Sequence, residues 1–426
     1  MKIGYVSADF GVPFCGDAGK TVHLRAMLES FRRAGAAVHL LSPALPESGA
    51  AADSGGAGAP LEVERIGLAD RHAALLRELE ELDRWVGRPT RLRHELRNLL
   101  YNQSLMQRGL RAFRDARVDF VYERYAFAAM AGIRIARELG IPHLLEMNAP
   151  LVAEQEARAG LELGRLARDL EQRILCESDH VLAVSEELRR FAVGLGVAPE
   201  RVSVLPNGVD LERFAAAGER RDSVRERLGL GDRFVVGFVG SLKRWHGTAV
   251  LIEALALLRA EPRGFHALII GEGPEGEALR ELAAARGVAE AVRFCGSVPH
   301  AQVPEHIAAM DVGVAPFLES ASFYFSPIKL FEYMALALPV IAGDVGQVSE
   351  ILGGGERGRL VRAGSAPDLA RALRELADAP ALRRELGARA RAWVASERSW
   401  DHNAARVLEL ARALGAGVRA AEASPR

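Results

Sequence analysis

The sequence predicts an α/β protein built from two tandem Rossmann-like domains with parallel sheets. Three observations carry this expectation. Short apolar runs alternate with amphipathic helical stretches from end to end, and that alternation implies parallel strands joined by crossover helices. The chain has 426 residues, more than one ordinary core organises. Pro206-Asn207-Gly208-Val209-Asp210 punctuates its middle and separates two series of strand candidates.

In the first series, residues 3–7 (IGYVS) read as the opening strand. Residues 21–34 follow with Val22, Leu24, Met27, Leu28 and Phe31 at helical spacing. Residues 38–41, 120–122, 144–147, 181–184 and 202–205 are the remaining strand candidates, and residues 46–60, rich in Gly, Ala and Ser, read as a flexible loop. Residues 71–117 are helical in character and dense in arginine, with Arg91, Arg93, Arg97 and Arg108 among them. They read as a solvated helix face balanced by Glu78, Glu80 and Glu81, or alternatively as a surface for an anionic acceptor or lipid headgroups. The second series is 235–239, 267–270, 292–295, 312–315, 340–342 and 360–361. A last helix over about 400–414 follows the completed second sheet. The expected domains are 1–205, 206–395 and a C-terminal helix with tail over 396–426.

Composition excludes several classes. Basic and acidic residues number 55 and 56 for a net charge of −1, so nothing drives the chain as a whole toward nucleic acid or an anionic membrane. Cys15, Cys176 and Cys295 are too few and too scattered for a disulfide framework or a zinc cluster. The N-terminus lacks a signal-peptide pattern, and no apolar run approaches a membrane span. A cytoplasmic protein is expected.

Chemistry concentrates in turns after strand candidates, where ligands bind in open α/β sheets. Residues 16–21 (GDAGKT) imitate the end of a phosphate-binding P-loop, but Phe14 stands where that loop requires glycine. Gly16 and Gly19 are read instead as letting a sugar or phosphate approach the backbone, with a plain tight turn as the alternative. Residues 271–276 (GEGPEG) match G-x-G-x-x-G, yet the next strand ends at Cys295-Gly296-Ser297 without the carboxylate a dinucleotide site needs. Pro274 also removes one N–H from that turn. Residues 240–247 (GSLKRWHG) place Lys243, Arg244 and His246 beside a helix start, an arrangement suited to a diphosphate or to an ordinary basic loop. In residues 326–335 (SPIKLFEYMA), Ser326 and Pro327 read as N-cap and first helical position, and Ile328 as a core anchor. Lys329 and Glu332 share a face three residues apart. A lysine in a first turn opposes the helix dipole and suggests an anionic ligand; a surface Lys–Glu pair is the alternative.

These pieces resemble the retaining GT-B glycosyltransferases of family 4 (glycosyl transferases group 1). The likeness covers nearly the whole chain and is carried by VLPNGVDLERF, GSLKRWHG, IIGEGPEG, RFCGSVPH and SPIKLFEYMALALPVIA in that order. It implies two Rossmann-like domains facing across a cleft, with the C-terminal helix crossing back to the first. The N-terminal domain would bind the acceptor and the C-terminal domain a nucleotide-diphosphate sugar, such as a UDP- or GDP-sugar. By the resemblance Glu332 holds the ribose hydroxyls, and Lys329 and Lys243 meet the diphosphate. Ser241 and His246 stand where the family commonly has Arg and Lys. Gly271 and Gly273 line the site, and the loop at Val298 reads the base. The first glutamate of the family's E-x7-E motif falls on Tyr324, so the donor-sugar contact must pass to Ser326 and the N–H groups after it. In the N-terminal domain, His23, Glu123, Arg124, Glu146 and Asn148 are expected at the acceptor, with structural capping as the alternative.

The activity implied is a metal-independent, retaining transfer with no tightly bound cofactor. The acceptor would be a small molecule, a glycan or a lipid-linked sugar, leaving peripheral membrane contact, and a monomer or homodimer, open. The rival readings are a nucleotide-sugar hydrolase or epimerase on the same fold and a non-catalytic scaffold subunit.

Overall fold

Strand β1 (Lys2–Ser7) opens a seven-stranded parallel sheet with β2 (Ala37–Ser42), β3 (Leu61–Arg65), β4 (Phe120–Arg124), β5 (His143–Met147), β6 (His180–Ala183) and β7 (Val202–Val204). Its order is β3-β2-β1-β4-β5-β6-β7. A second parallel sheet holds β8 (Phe234–Val239), β9 (Phe265–Ile270), β10 (Val292–Gly296), β11 (Val312–Ala315), β12 (Val340–Gly343) and β13 (Arg359–Val361), in the order β10-β9-β8-β11-β12-β13. Both follow the Rossmann sequence in which strand order reverses beside the first strand. This computed structural model describes residues 1–45, 58–262, 264–319 and 323–417. Residues 46–57 of the expected Gly/Ala/Ser loop lie outside the described residues.

The chain divides into two units, one formed by Met1–Pro206 with the segment that begins at Asp401, the other by Asn207–Trp400. In the first unit, alternation along the strands feeds two faces. Val6 and Val121 pack with Phe113, Leu105 and Ile135 on one face. Tyr5 and Tyr122 turn to the other and meet Phe31 of the helix Gly19–Arg33, at ring separations of 6.5 and 5.3 Å. The C-terminal helix Trp400–Ala413 joins this unit through Asp401, whose carboxylate accepts from Arg33 Nη2 at 2.7 Å. Asn403 Nδ2 also donates to the Pro206 carbonyl at 2.7 Å. In the second unit Val235 enters one core, while Val236 and Phe238 enter the core on the opposite face.

Two local differences from expectation have physical causes. Strand β3 (LEVER) escaped the sequence reading because it is an edge strand with charged residues and incomplete burial. The arginine-dense segment folds as two helices, Asp70–Val86 and Leu92–Ala116, broken where Gly87 takes a left-handed C-cap at φ 74°. Much of its charge is paired on the surface, as in Arg93 with Glu80 and Arg108 with Glu64. Among the described residues no helix is long and apolar enough to cross a membrane.

Candidate functional site

The loops after β8 and β11 meet at the point where the second sheet reverses its order, the position where open α/β sheets bind ligands. The segment 240–247 is laced to the next loop: Gly240 N donates to Ile270 O at 2.9 Å, and Leu242 N to Glu272 O at 2.9 Å. The approach is close enough that a Cβ on Gly271, at φ 126°, would lie 2.1 Å from the Gly240 carbonyl oxygen. At the loop's end Gly247 has φ 72°, and a Cβ there would lie 1.8 Å from Pro316 O. Only glycine satisfies both the backbone angle and the space at these positions.

Lys329 enters this corner from the helix Ile328–Ala335, which is buried from Lys329 onward. Tyr333 ties the helix to the sheet, its hydroxyl accepting from Val239 N at 2.8 Å. The Lys329 ammonium lies 4.2 Å from the Phe238 ring centre and 5.5 Å from that of Phe317. A Cβ on Gly240 would stand 2.7 Å from its Nζ. The side chain is 9% exposed, and its Nζ has no hydrogen-bond partner among the described residues. Burial lowers its pKa to about 7, opposed only by the nearby Glu332 charge. Cation–π contact returns part of the cost of holding such a group away from water.

Glu332 is buried one turn further along and accepts from His300 Nε2 at 3.3 Å. His300 follows the loop that holds Val298, which is half-buried against the core. Glu272 fixes the start of that loop by accepting from Ser297 N at 3.1 Å.

Several expectations are corrected here. The helix starts at Ile328 with Pro327 at its cap position and no side-chain cap. Ser326 cannot serve as N-cap, because its hydroxyl accepts from Asn207 N at 2.9 Å while Asn207 Nδ2 donates to Ser326 O at 2.7 Å. His246 is not a cation. Burial, then the Lys329 and Lys243 charges, lower its pKa to about 3, and its Nδ1 is bonded to the Ser241 carbonyl. It acts as a neutral strut of the loop. Lys243 and Ser241 are exposed on the loop surface, and Gly273 packs against the Leu242 backbone.

The first unit carries a second polar cluster at the ends of β4 and β5. Arg124 and Glu146 are register partners, so their side chains leave the same sheet face. Glu146, 2% exposed, takes His23 Nε2 at 2.8 Å and Arg124 Nη1 at 3.2 Å. It also accepts from the Tyr122 hydroxyl and from Asn148 Nδ2. Burial alone would raise its pKa; His23, Arg124 and Tyr122 outweigh that and hold it down to about 2. Glu123 is the exception among the expected acceptor residues. One position out of phase, it points to the opposite face, is fully buried, and pairs with His143 Nε2 at 2.9 Å under Gly132. It is a core group and cannot reach a ligand there. Gly16 and Gly19 lie exposed at the start of the helix Gly19–Arg33; Gly16, at φ 130°, is fixed by Arg25 Nη2 donating to its carbonyl at 2.8 Å. That helix has no side-chain N-cap.

Asn207, Arg213 and His300 lie inside the motifs quoted above and Tyr122 closes the strand candidate 120–122, but only their tertiary partners give them a role. Among the described residues no three His, Cys, Asp or Glu side chains converge as metal ligands would.

A family model for glycosyl transferases group 1 matches residues 233–379, and one for glycosyltransferase family 4 matches residues 18–213. The chain is 33% identical over 249 residues to a GDP-mannose-dependent alpha-(1-6)-phosphatidylinositol monomannoside mannosyltransferase of Mycolicibacterium smegmatis, covering 58% of this chain and 65% of that protein. It thus spans just under two thirds of that relative's length. It is 30% identical over 310 residues to the D-inositol 3-phosphate glycosyltransferase of Streptomyces scabiei, covering 70% of this chain and 68% of that protein. Among solved structures, Anabaena HepE in complex with UDP-glucose superposes with TM-score 0.70 at 19% identity, over 97% of this chain and 100% of that one. A glycosyltransferase of Rickettsia africae gives TM-score 0.71 at 15% identity over 97% and 98%. At these identities the structural likeness establishes the fold alone, which is GT-B. Through the sequence relatives and both family matches, the chain belongs to glycosyltransferase family 4.

Proposed function

We propose that the protein transfers a sugar from a nucleotide-diphosphate donor to a small-molecule, glycan or lipid-linked acceptor, with retention of anomeric configuration. The donor site is the corner around Lys329 and Glu332 in the unit Asn207–Trp400. The acceptor is taken by the unit that begins at Met1, through His23, Arg124 and Asn148 around Glu146.

One observation carries the reading: a nine-tenths-buried ammonium with no hydrogen-bond partner among the described residues, at the reversal point of a parallel sheet, one turn from a buried carboxylate. An unpaired buried cation costs several kcal/mol, and a fold keeps one where an anion arrives. Lys329 and exposed Lys243 would meet the diphosphate together with the uncapped N–H groups that open the helix Ile328–Ala335. These groups stabilise charge as the glycosidic bond breaks, which is the main catalytic term in such a transfer. No divalent ion is required for that role. Glu332 accepts from the ribose hydroxyls, and the backbone at Val298 reads the base. The acceptor hydroxyl attacks the anomeric carbon from the face the diphosphate leaves, and its proton passes to a departing phosphate oxygen. The GDP-mannose dependence of the mannosyltransferase and the UDP-glucose in the HepE complex favour a nucleotide sugar here as well.

Calorimetric titration with UDP, GDP, ADP, NADH and ATP tests the reading. One nucleoside diphosphate should bind, and Glu332→Ala should weaken it by about 10- to 150-fold, matching ~1.5–3 kcal/mol for a hydrogen bond to a charged group. Preference for NADH or ATP, or no binding at all, would overturn it. Donor turnover with and without candidate acceptors separates transfer from hydrolysis and from a scaffold role.

A further inference from the structure

We propose that Arg213 and His300 are positioning residues for Glu332: they aim its carboxylate at the ribose hydroxyls of a nucleoside diphosphate and keep it from closing onto Lys329. The proposal rests on the donor-site reading above.

Three separate elements build the relay. Arg213 lies on the helix Leu211–Gly218, His300 opens the short turn His300–Gln302, and Glu332 lies on the helix Ile328–Ala335. Arg213 Nη1 sits 3.0 Å from His300 Nδ1, and its Nη2 donates to the His300 carbonyl. His300 Nε2 then lies 3.3 Å from Glu332 Oε1. A guanidinium only donates. His300 Nδ1 facing it must therefore accept, which places the imidazole proton on Nε2 and directs it at the carboxylate. The relay thus has one polarity, from Arg213 through His300 to Glu332.

The consequence concerns both charged groups of the corner. Glu332 carries two oxygens with about four acceptor positions, and His300 occupies one on Oε1. Oε2 takes no hydrogen bond from any described residue and is the oxygen left for a hydroxyl. Lys329 is one turn away on the same helix, close enough for Glu332 to act on its titration. A carboxylate free to rotate would be drawn to that ammonium, since opposite charges at (i, i+3) attract. The structure has no such bond, and Lys329 Nζ has no hydrogen-bond partner among the described residues. His300 explains why: it holds the carboxylate on the ribose side and leaves the ammonium to the diphosphate. The relay also gives Arg213 a purpose that its place in the linker-proximal helix does not reveal.

The test uses the full-length protein and the nucleoside diphosphate among UDP, GDP and ADP that it binds, together with the matching 2′-deoxy nucleoside diphosphate. The readout is the affinity ratio of ribo to deoxy ligand, which a merely structural role would leave unchanged. Wild type should favour the ribo form by about tenfold, the scale of one hydrogen bond to a charged acceptor. In His300→Ala and Glu332→Ala the ratio should fall toward one. His300→Gln, whose amide can still donate, should retain most of it, and Arg213→Met should fall between. Thermal unfolding midpoints of each variant control for folding. A wild-type ratio in His300→Ala, or equal weakening of both ligands, overturns the proposal. An unchanged ratio in Glu332→Ala overturns it too while leaving the donor site standing. Wild type binding no nucleoside diphosphate overturns both.

Discussion

At the scale of single residues, Lys329 is where stability and function oppose each other. Its pKa of about 7 lies below the usual lysine value of 10.5, so between those values the unfolded chain binds the extra proton. Unfolding free energy of the ligand-free protein should therefore rise with pH from about 7 toward 10.5. Ligand affinity should run the other way. The charged form recruits the diphosphate, so affinity should be flat below about pH 7 and decline above it; calorimetry across pH 6–9 checks the sign. Lys329→Met keeps the volume without the charge. It should leave the ligand-free protein as stable as wild type or more so, by ~1–4 kcal/mol in urea unfolding, while abolishing nucleoside diphosphate binding. Lys329 and Glu332 were both legible in the sequence, because their spacing and a first-turn lysine are local signals. Their partners were not: His300 meets an arginine 87 positions away, and Ser326 an asparagine 119 away. No periodicity registers such pairs.

Elements set which of the named residues can meet. In β4, Tyr122 and Arg124 share a face with Glu146, and Glu123 between them cannot join. The sequence groups Glu123 and Arg124 with Glu146 because local pattern gives the strand and not the face a ligand would meet. Glu146 gathers the cluster, so Glu146→Ala should leave His23, Arg124 and Tyr122 facing an empty acceptor, at a cost of about 3–5 kcal/mol in denaturant unfolding at pH 7. Its own contribution is present above the ordinary carboxylate pKa of 4.5 and is lost as pH falls toward about 2. The loop after β8 offers a sharper test of close packing. Gly247→Ala forces a Cβ into the Pro316 carbonyl and a left-handed angle on a residue that disfavours it. Nucleoside diphosphate affinity should fall with it, since the loop positions Lys243; measuring stability and affinity together separates the two losses. Helix ends show the same dependence on distant partners. Asn102, from the helix Leu92–Ala116, accepts from Met130 N at 2.7 Å and Ala131 N at 3.0 Å, and so caps the helix Ala131–Leu139.

At the scale of the whole molecule, each unit has its own sheet and its own buried cores. A ligand held by one should protect that one. Saturating nucleoside diphosphate, at about 100 times its dissociation constant, should stabilise the unit that binds it by ~2.7 kcal/mol. Amide exchange read by mass spectrometry should slow most in residues 207–400; uniform slowing over residues 1–206 would contradict the assignment of the donor site. Among the described residues, the sequence by itself determined the α/β class and twelve of the thirteen strands. Those features rest on local periodicity and on Pro and Gly punctuation, which short-range sterics enforce. Only the tertiary structure decided which way Glu123 and Arg124 point, that His246 is a neutral strut, that Ser326 holds Asn207, and that Arg213 reaches Glu332 through His300. Each of these depends on register, burial or a hydrogen bond between residues far apart in the chain, and such terms exist only once the strands are laid side by side.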